Sequence, residues 1–190
     1  MVLPCGSMTS SEHRQHGHVW SIVVGAGSGA RFGGMKQYET LGDTRVIDRS
    51  VSTARAVSDG VVVVVPAGDV ESEGGIAGGA SRSESVRNGL AQVPADADIV
   101  CVHDAARPFA SADLFEQVIA AVRNGADAAI PAVPVTDTIK IVAADGSGTV
   151  ESTPDRSTLV AVQTPQAFAA VALRRAHELD DGTSTATDDA

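Results

Sequence analysis

Val100-Cys101-Val102-His103-Asp104-Ala105-Ala106-Arg107-Pro108 reads as a buried apolar strand that runs straight into His-Asp, with an arginine three residues beyond the aspartate. A carboxylate at the C-terminal end of such a strand stands where open α/β sheets bind their ligands. Asp104 in that position can hold Mg²⁺, and Arg107 can meet a phosphate as a planar, bidentate donor.

A second apolar run, Val19-Trp20-Ser21-Ile22-Val23-Val24, leads into Gly25-Ala26-Gly27-Ser28-Gly29-Ala30-Arg31-Phe32-Gly33-Gly34-Met35-Lys36. Glycines let the backbone come close to a polyanion, and successive N–H groups can form an anion-binding nest. Arg31 and Lys36 add full positive charges. A Walker loop would end in Gly-Lys-Ser/Thr, which Gly34-Met35-Lys36-Gln37 does not supply. A dinucleotide fingerprint is formally matched by Gly25, Gly27 and Ala30, but it wants an acidic residue at the end of the next strand. The next convincing strand, residues 61–65, ends in Pro66-Ala67-Gly68. A loop wrapped around a nucleoside triphosphate fits best, because it is longer than a dinucleotide turn and carries two cations.

The 190 residues suit one α/β domain with a sizeable core, and the 43% hydrophobic content argues against disorder. No apolar run approaches the roughly 20 residues that span a bilayer. The first 18 residues are polar and lack a signal-peptide core, so they read as a flexible leader and the protein is placed in the cytoplasm. His13, His16 and His18 in this leader could bind a metal, but composition favours a solvated extension. A net charge of −10 argues against nucleic acid or an anionic membrane as partner, while a few focused cations can still dominate a cleft. Only two lysines, Lys36 and Lys140, stand against twelve arginines, which marks Lys36 in the glycine loop. Cys5 and Cys101 suggest no disulfide framework, and Cys101 reads as a small buried hydrophobe.

Strand-like and helical patterns alternate, predicting βαβ units, a Rossmann-like and mainly parallel sheet, and no internal repeat. Helices are expected over residues 46–57, 83–91, 112–123 and 165–179, and strands over 61–65, 99–102, 128–135 and 159–162. Residues 137–158 break this rhythm. Thr138-Ile139-Lys140-Ile141-Val142 and Thr149-Val150-Glu151-Ser152 flank Asp145-Gly146-Ser147-Gly148, which predicts a projecting hairpin. Its apolar stripe suits a contact with a second copy.

From about residue 19 onward the chain resembles the 2-C-methyl-D-erythritol 4-phosphate cytidylyltransferase family of the non-mevalonate isoprenoid pathway. The resemblance lies in Ala26-Gly27-Ser28-Gly29-Ala30-Arg31 with Lys36-Gln37-Tyr38, and in Gly78-Gly79 with Arg82 and Ser85-Val86. It continues through residues 102–108, Pro134, Asp137-Thr138-Ile139-Lys140, Asp155-Arg156, Gln163-Thr164-Pro165-Gln166 and Ala186-Thr187-Asp188-Asp189-Ala190. It implies one nucleotidyltransferase domain over residues 19–190 with an arm at about 137–158. The implied reaction is attack by the sugar-alcohol phosphate on the α-phosphorus of CTP, releasing pyrophosphate.

By the same resemblance, Ala26, Gly27, Ser28 and Gly29 line the nucleotide, with Gly79, Arg82, Ser85 and the Ala105 backbone. Arg31 and Lys36 stabilise the reacting phosphates, and Asp104 holds Mg²⁺. Arg107, Thr138, Arg156 and Thr164 receive the second substrate. The arm forms a homodimer, so that Thr138 and Arg156 serve the partner's site. The chain departs from the family at Gly25 and Met35, where prolines are usual. It also ends before a further helix, a strand, a lysine-bearing Asn-x-Lys-x-Thr-x-Pro-x-Asp segment and a final helix. The resemblance therefore leaves open a truncated, catalytically silent nucleotide-binding protein and a ribitol-5-phosphate cytidylyltransferase.

Overall fold

Apolar runs that alternate between two covered faces build the centre of the sheet. Along Val19–Val24 and Ile99–Asp104, the side chains of Val19, Val23, Ile99 and Cys101 enter one core cluster, and those of Ile22, Val100 and Val102 enter the other. The computed structural model describes residues 2–5, 17–27, 29 and 33–180. In chain order the strands are β1 (Val2–Cys5), β2 (Val19–Val24), β3 (Thr40–Leu41), β4 (Thr44–Arg45), β5 (Gly60–Val65) and β6 (Ile76–Ala77). They continue with β7 (Ile99–Asp104), β8 (Ala128–Pro134), β9 (Ile141–Val142), β10 (Val150–Ser152), β11 (Val160–Val162) and β12 (Gln166–Ala169). The α-helices are α1 (Val46–Val57), α2 (Val70–Glu73), α3 (Arg82–Leu90), α4 (Ala112–Arg123) and α5 (Ala170–Leu179).

The main sheet runs β1-β8-β12-β7-β2-β5-β6, with β11 also on β8. β7, β2, β5 and β6 are parallel neighbours, whereas β12 runs antiparallel between β7 and β8. The expected Rossmann-like α/β sheet is therefore present, mainly parallel with antiparallel additions. On one face, Ile47, Val51 and Ala54 of α1 pack beside Phe115, Val118, Ile119 and Val122 of α4. On the other, Val86 and Leu90 of α3 meet Ala170 and Leu173 of α5. The spacing of these residues is that of amphipathic helices against a sheet covered on both sides. Ser111 caps α4 by accepting from the Leu114 N–H at 3.2 Å.

Two expectations are corrected. Residues 165–179 do not form one helix: Gln166–Ala169 is a strand, and α5 begins at Ala170. The slot between β7 and β8 supplies hydrogen-bond partners on both sides and buries Ala167 and Phe168, and this tertiary demand overrides the helical pattern. The leader is not wholly a tether either, because Val2–Cys5 pairs antiparallel with β8 and so satisfies the backbone groups of that strand's outer edge.

The expected hairpin is made by β9 and β10, with Ile141, Val142 and Val150 exposed on it. No helix among the described residues is long and apolar enough to cross a membrane. Phe168, only 3% exposed within the α3/α5 core, should cost about 3–5 kcal/mol of stability when cut to Ala, as read by denaturant unfolding.

Candidate functional site

The site grows from one seam in the sheet. The chain leaves β2 for β5 on one side and returns as β7 on the other, so the strand order reverses between β2 and β7. Ligands of open α/β sheets sit outside the carboxyl ends of the strands at such a point. The parallel register pairs Val24 with Asp104, so the glycine loop and the carboxylate leave the sheet side by side. The Gly25 N–H donates to Val64 O at 2.7 Å, and the Ala105 N–H donates to Val24 O at 2.9 Å, which fixes both exits.

Gly29 takes a positive φ of 64°, and a Cβ there would fall 1.7 Å from Gly34 O, so the turn demands glycine. Its carbonyl accepts from the Gly33 N–H at 3.0 Å. Gln37, buried in the short 3₁₀ turn Lys36–Tyr38, donates from Nε2 to Gly27 O at 3.2 Å and ties the loop down. Ser28 and Arg31, both expected at the site, lie outside the described residues. So do His13 and His16 of the leader and the closing Ala186-Thr187-Asp188-Asp189-Ala190.

A second wall comes from the segment before α3. The Gly79 N–H donates to Ser85 Oγ at 3.0 Å, and that hydroxyl donates to Ser81 O at 2.9 Å. Ser81 caps α3 through the Glu84 N–H, while the Glu84 carboxylate accepts from the Ala80 N–H at 2.7 Å. A Cβ on Gly78 would stand 2.2 Å from the Ala26 Cβ, so the segment sits directly on the glycine loop.

Asp104 is the electrostatic centre. Arg82 Nε reaches its Oδ1 at 3.3 Å and Arg107 Nε its Oδ2 at 3.1 Å, all three side chains being partly exposed. Arg107 also donates from Nη1 to Gln163 Oε1. Lys36, Arg107 and Thr164 line one cleft of about 480 Å³, whose other walls include Leu41, Val46, Pro108, Phe109, Leu114 and Gln163. Thr138 and Arg156 are not part of this cleft. Thr138 is exposed at the base of the arm, and Arg156 donates from Nη1 to Thr136 O at 2.8 Å.

Three buried residues, Gln37, Ser50 and His103, escaped the sequence reading as parts of the site. Ser50 of α1 donates to Ala105 O at 2.8 Å and so holds the turn after β7 from below. Thr164 Oγ1 accepts from the Asp104 N–H at 3.1 Å and lies 3.0 Å from Nδ1 of His103, which is fully buried with its ring 5.1 Å from that of Phe115. Burial pushes His103 down to about 4, against the pull of the neighbouring Asp104 carboxylate. Cys101, on the same strand, is likewise fully buried and its thiol is pushed up to about 12. For Ser50 and His103 the available signal was a polar side chain at a position that the apolar periodicity assigns to the core, whereas Gln37, in a short turn, carried no such signal.

Asp104 fits one protein ligand of Mg²⁺, being a hard oxygen donor at the mouth of the site. No group of three or more His, Cys, Asp or Glu side chains that could hold a metal occurs among the described residues. Mg²⁺ commonly binds through one or two carboxylates with substrate phosphates and water completing its shell, so a single aspartate beside the glycine loop fits such a role.

A sheet whose switch point faces a glycine loop and a carboxylate defines an α/β protein with a ligand site at the ends of its strands. Comparison narrows this class. The profile of the family described as IspD: 2-C-methyl-D-erythritol 4-phosphate cytidylyltransferase matches residues 19–190. A protein of that name from Rhodococcus jostii (strain RHA1) is 46% identical over 92% of this chain and 80% of its own length. One from Nocardia farcinica (strain IFM 10152) is 42% identical over 92% of this chain and 79% of its own. The crystal structure of the cytidylyltransferase from Thermus thermophilus is 30% identical with a TM-score of 0.70, covering 88% of this chain and 79% of that one. The synthase structure from Anaerococcus prevotii DSM 20548 gives a TM-score of 0.75 at 29% identity, covering 91% and 79%. The chain belongs to the 2-C-methyl-D-erythritol 4-phosphate cytidylyltransferase family, a family of enzymes.

The buried His103 makes a pH test available. Its folded-state value lies below the ordinary 6.5, so between pH 6.5 and about 4 the unfolded chain binds a proton that the folded chain refuses. The stability tied to neutral His103 is complete above pH 6.5 and drains away as the pH falls toward 4. Denaturant unfolding over that window should show a slope approaching about 1.4 kcal/mol per pH unit that His103→Asn removes.

Proposed function

We propose that this chain transfers the cytidylyl group of CTP to 2-C-methyl-D-erythritol 4-phosphate. The observation that carries this reading is one cleft, lined by Lys36, Arg107 and Thr164, opening beside Asp104 and the glycine loop in a chain of this family. An oxygen of the sugar-alcohol phosphate attacks the α-phosphorus in line and forms a new P–O bond. The bond from that phosphorus to the bridging oxygen breaks, and its electron pair leaves on pyrophosphate. The attacking oxygen is already anionic, so the step needs no general base. It needs the repulsion between two polyanions neutralised and the reacting atoms aligned.

Each side chain then has a task. Lys36 and Arg31 hold the α-phosphate and the departing pyrophosphate, where charge grows in the transition state. Ala26, Gly27, Ser28 and Gly29 bind the triphosphate and cytidine, and Arg82, Ser85, Gly79 and Ala105 shape the nucleoside side. Arg107 and Thr164 receive the second phosphate. Asp104 would hold Mg²⁺, which would supply charge neutralisation at the phosphates. The exposed apolar arm joins two copies, and Thr138 and Arg156 at its base act in the partner's site.

Pyrophosphate release should require CTP, 2-C-methyl-D-erythritol 4-phosphate and Mg²⁺ together, and should stop with a chelator. Release that is independent of the methylerythritol phosphate would defeat the assignment. Lys36→Ala and Arg31→Ala should each lower kcat by about 10²–10³-fold while moving CTP affinity far less. Ile141→Asp on the exposed arm should shift the sedimentation of the protein from dimer to monomer.

A further inference from the structure

We propose that His103 is a positioning residue for this reaction: its Nδ1–H donates to Thr164 Oγ1, and this makes the Thr164 hydroxyl a hydrogen-bond donor toward the phosphate of the second substrate. The inference deepens the functional reading above and rests on its assignment of Thr164.

An imidazole carries at least one N–H in either charge state. Nδ1 of His103 lies 3.0 Å from Thr164 Oγ1, whereas Nε2 is buried and makes no well-formed hydrogen bond among the described residues, the backbone of Arg107 being the other polar group that acts on the ring. A buried N–H without a well-formed hydrogen bond is rare in folded proteins, so the proton belongs on the nitrogen that makes the full contact, Nδ1.

Thr164 Oγ1 also accepts the backbone N–H of Asp104 at 3.1 Å. A hydroxyl oxygen has two acceptor lone pairs, and these two N–H groups use both. The hydroxyl hydrogen is then left with neither partner as a target. Thr164 is 5% exposed, and it lines the cleft with Lys36 and Arg107. Its O–H therefore points to where an incoming phosphate needs a donor.

The opposite tautomer reverses the outcome. With the proton on Nε2, Thr164 would donate to Nδ1, accept from Asp104, and present a bare lone pair to the cleft. A lone pair repels an anion, so the location of one proton on a side chain that never touches the substrate decides whether Thr164 attracts or rejects it. The strand slot itself calls for an apolar residue: its neighbours in the pleat, Ile99 and Cys101, are buried in the same core, and His103 packs on Phe115. Shape alone would accept phenylalanine there, and only the hydrogen bond calls for histidine.

¹⁵N-detected NMR of the wild-type protein should show His103 protonated at Nδ1 and bare at Nε2. Thr164→Val and His103→Phe should each raise KM for 2-C-methyl-D-erythritol 4-phosphate by about tenfold or more, with KM for CTP essentially unchanged. The double variant should be no worse than either single one, and His103→Asn, which can place an amide N–H near the Nδ1 position, should recover most of the loss. A proton on Nε2, or an unchanged KM in folded His103→Phe, would overturn the inference and leave Thr164 as a substrate contact. An unchanged KM in Thr164→Val would overturn both. The NMR readout decides the matter even where His103→Phe does not fold.

Discussion

The parallel pairing of β2 with β7 is the constraint on which the rest depends. A parallel ladder fixes which residues end level with one another, and here it ends Val24 beside Asp104. Two chain segments separated by about eighty residues thus emerge at the same height with their backbone exits hydrogen-bonded to neighbouring strands. Both strands are covered on each face, so a one-residue slip would drive core valines out of their layers and the polar groups of the site into them. Register and site are consequently one specification, made by apolar packing well away from any substrate.

Around this seam an acidic chain, with a net charge of −10, builds a positive pocket. It does so with few cations held in place. Arg82 and Arg107 converge on the Asp104 carboxylate from two sides, and Lys36 faces the same cleft from the loop. The carboxylate offsets the repulsion between the two guanidiniums and holds them side by side at the ends of the strands. Surface ion pairs contribute little stability, so what this cluster supplies is pre-positioned charge. The surrounding acidity leaves that charge local.

Much of this was legible in the chain because local and tertiary signals agree. The amphipathic spacing of Val46–Val57 and Ala112–Arg123 gave both helices with their observed ends. The apolar run before His103-Asp104 gave the strand and the position of its carboxylate. Gln166-Ala167-Phe168-Ala169 was misread because alanine and glutamine favour helix, while the slot between β7 and β8 is a long-range demand that a local window does not contain. The glycines marked a tight loop, and Gly29 does take a positive φ, yet the loop's anchor Gln37 did not stand out, since a buried glutamine is recognised only once its acceptor, the carbonyl of Gly27, is known. His103 was visible as a letter in the decisive stretch, but its meaning lies in Thr164, sixty-one residues away.

The hydroxyl of Ser50 has a mechanical consequence. It belongs to the helix that follows β2, and it bonds the carbonyl of Ala105 in the turn that follows β7. Sliding the helical layer along the sheet would strand a buried hydroxyl and a buried carbonyl at once, at a cost of about 1–3 kcal/mol for each. This stitch locks the floor of the groove against shear.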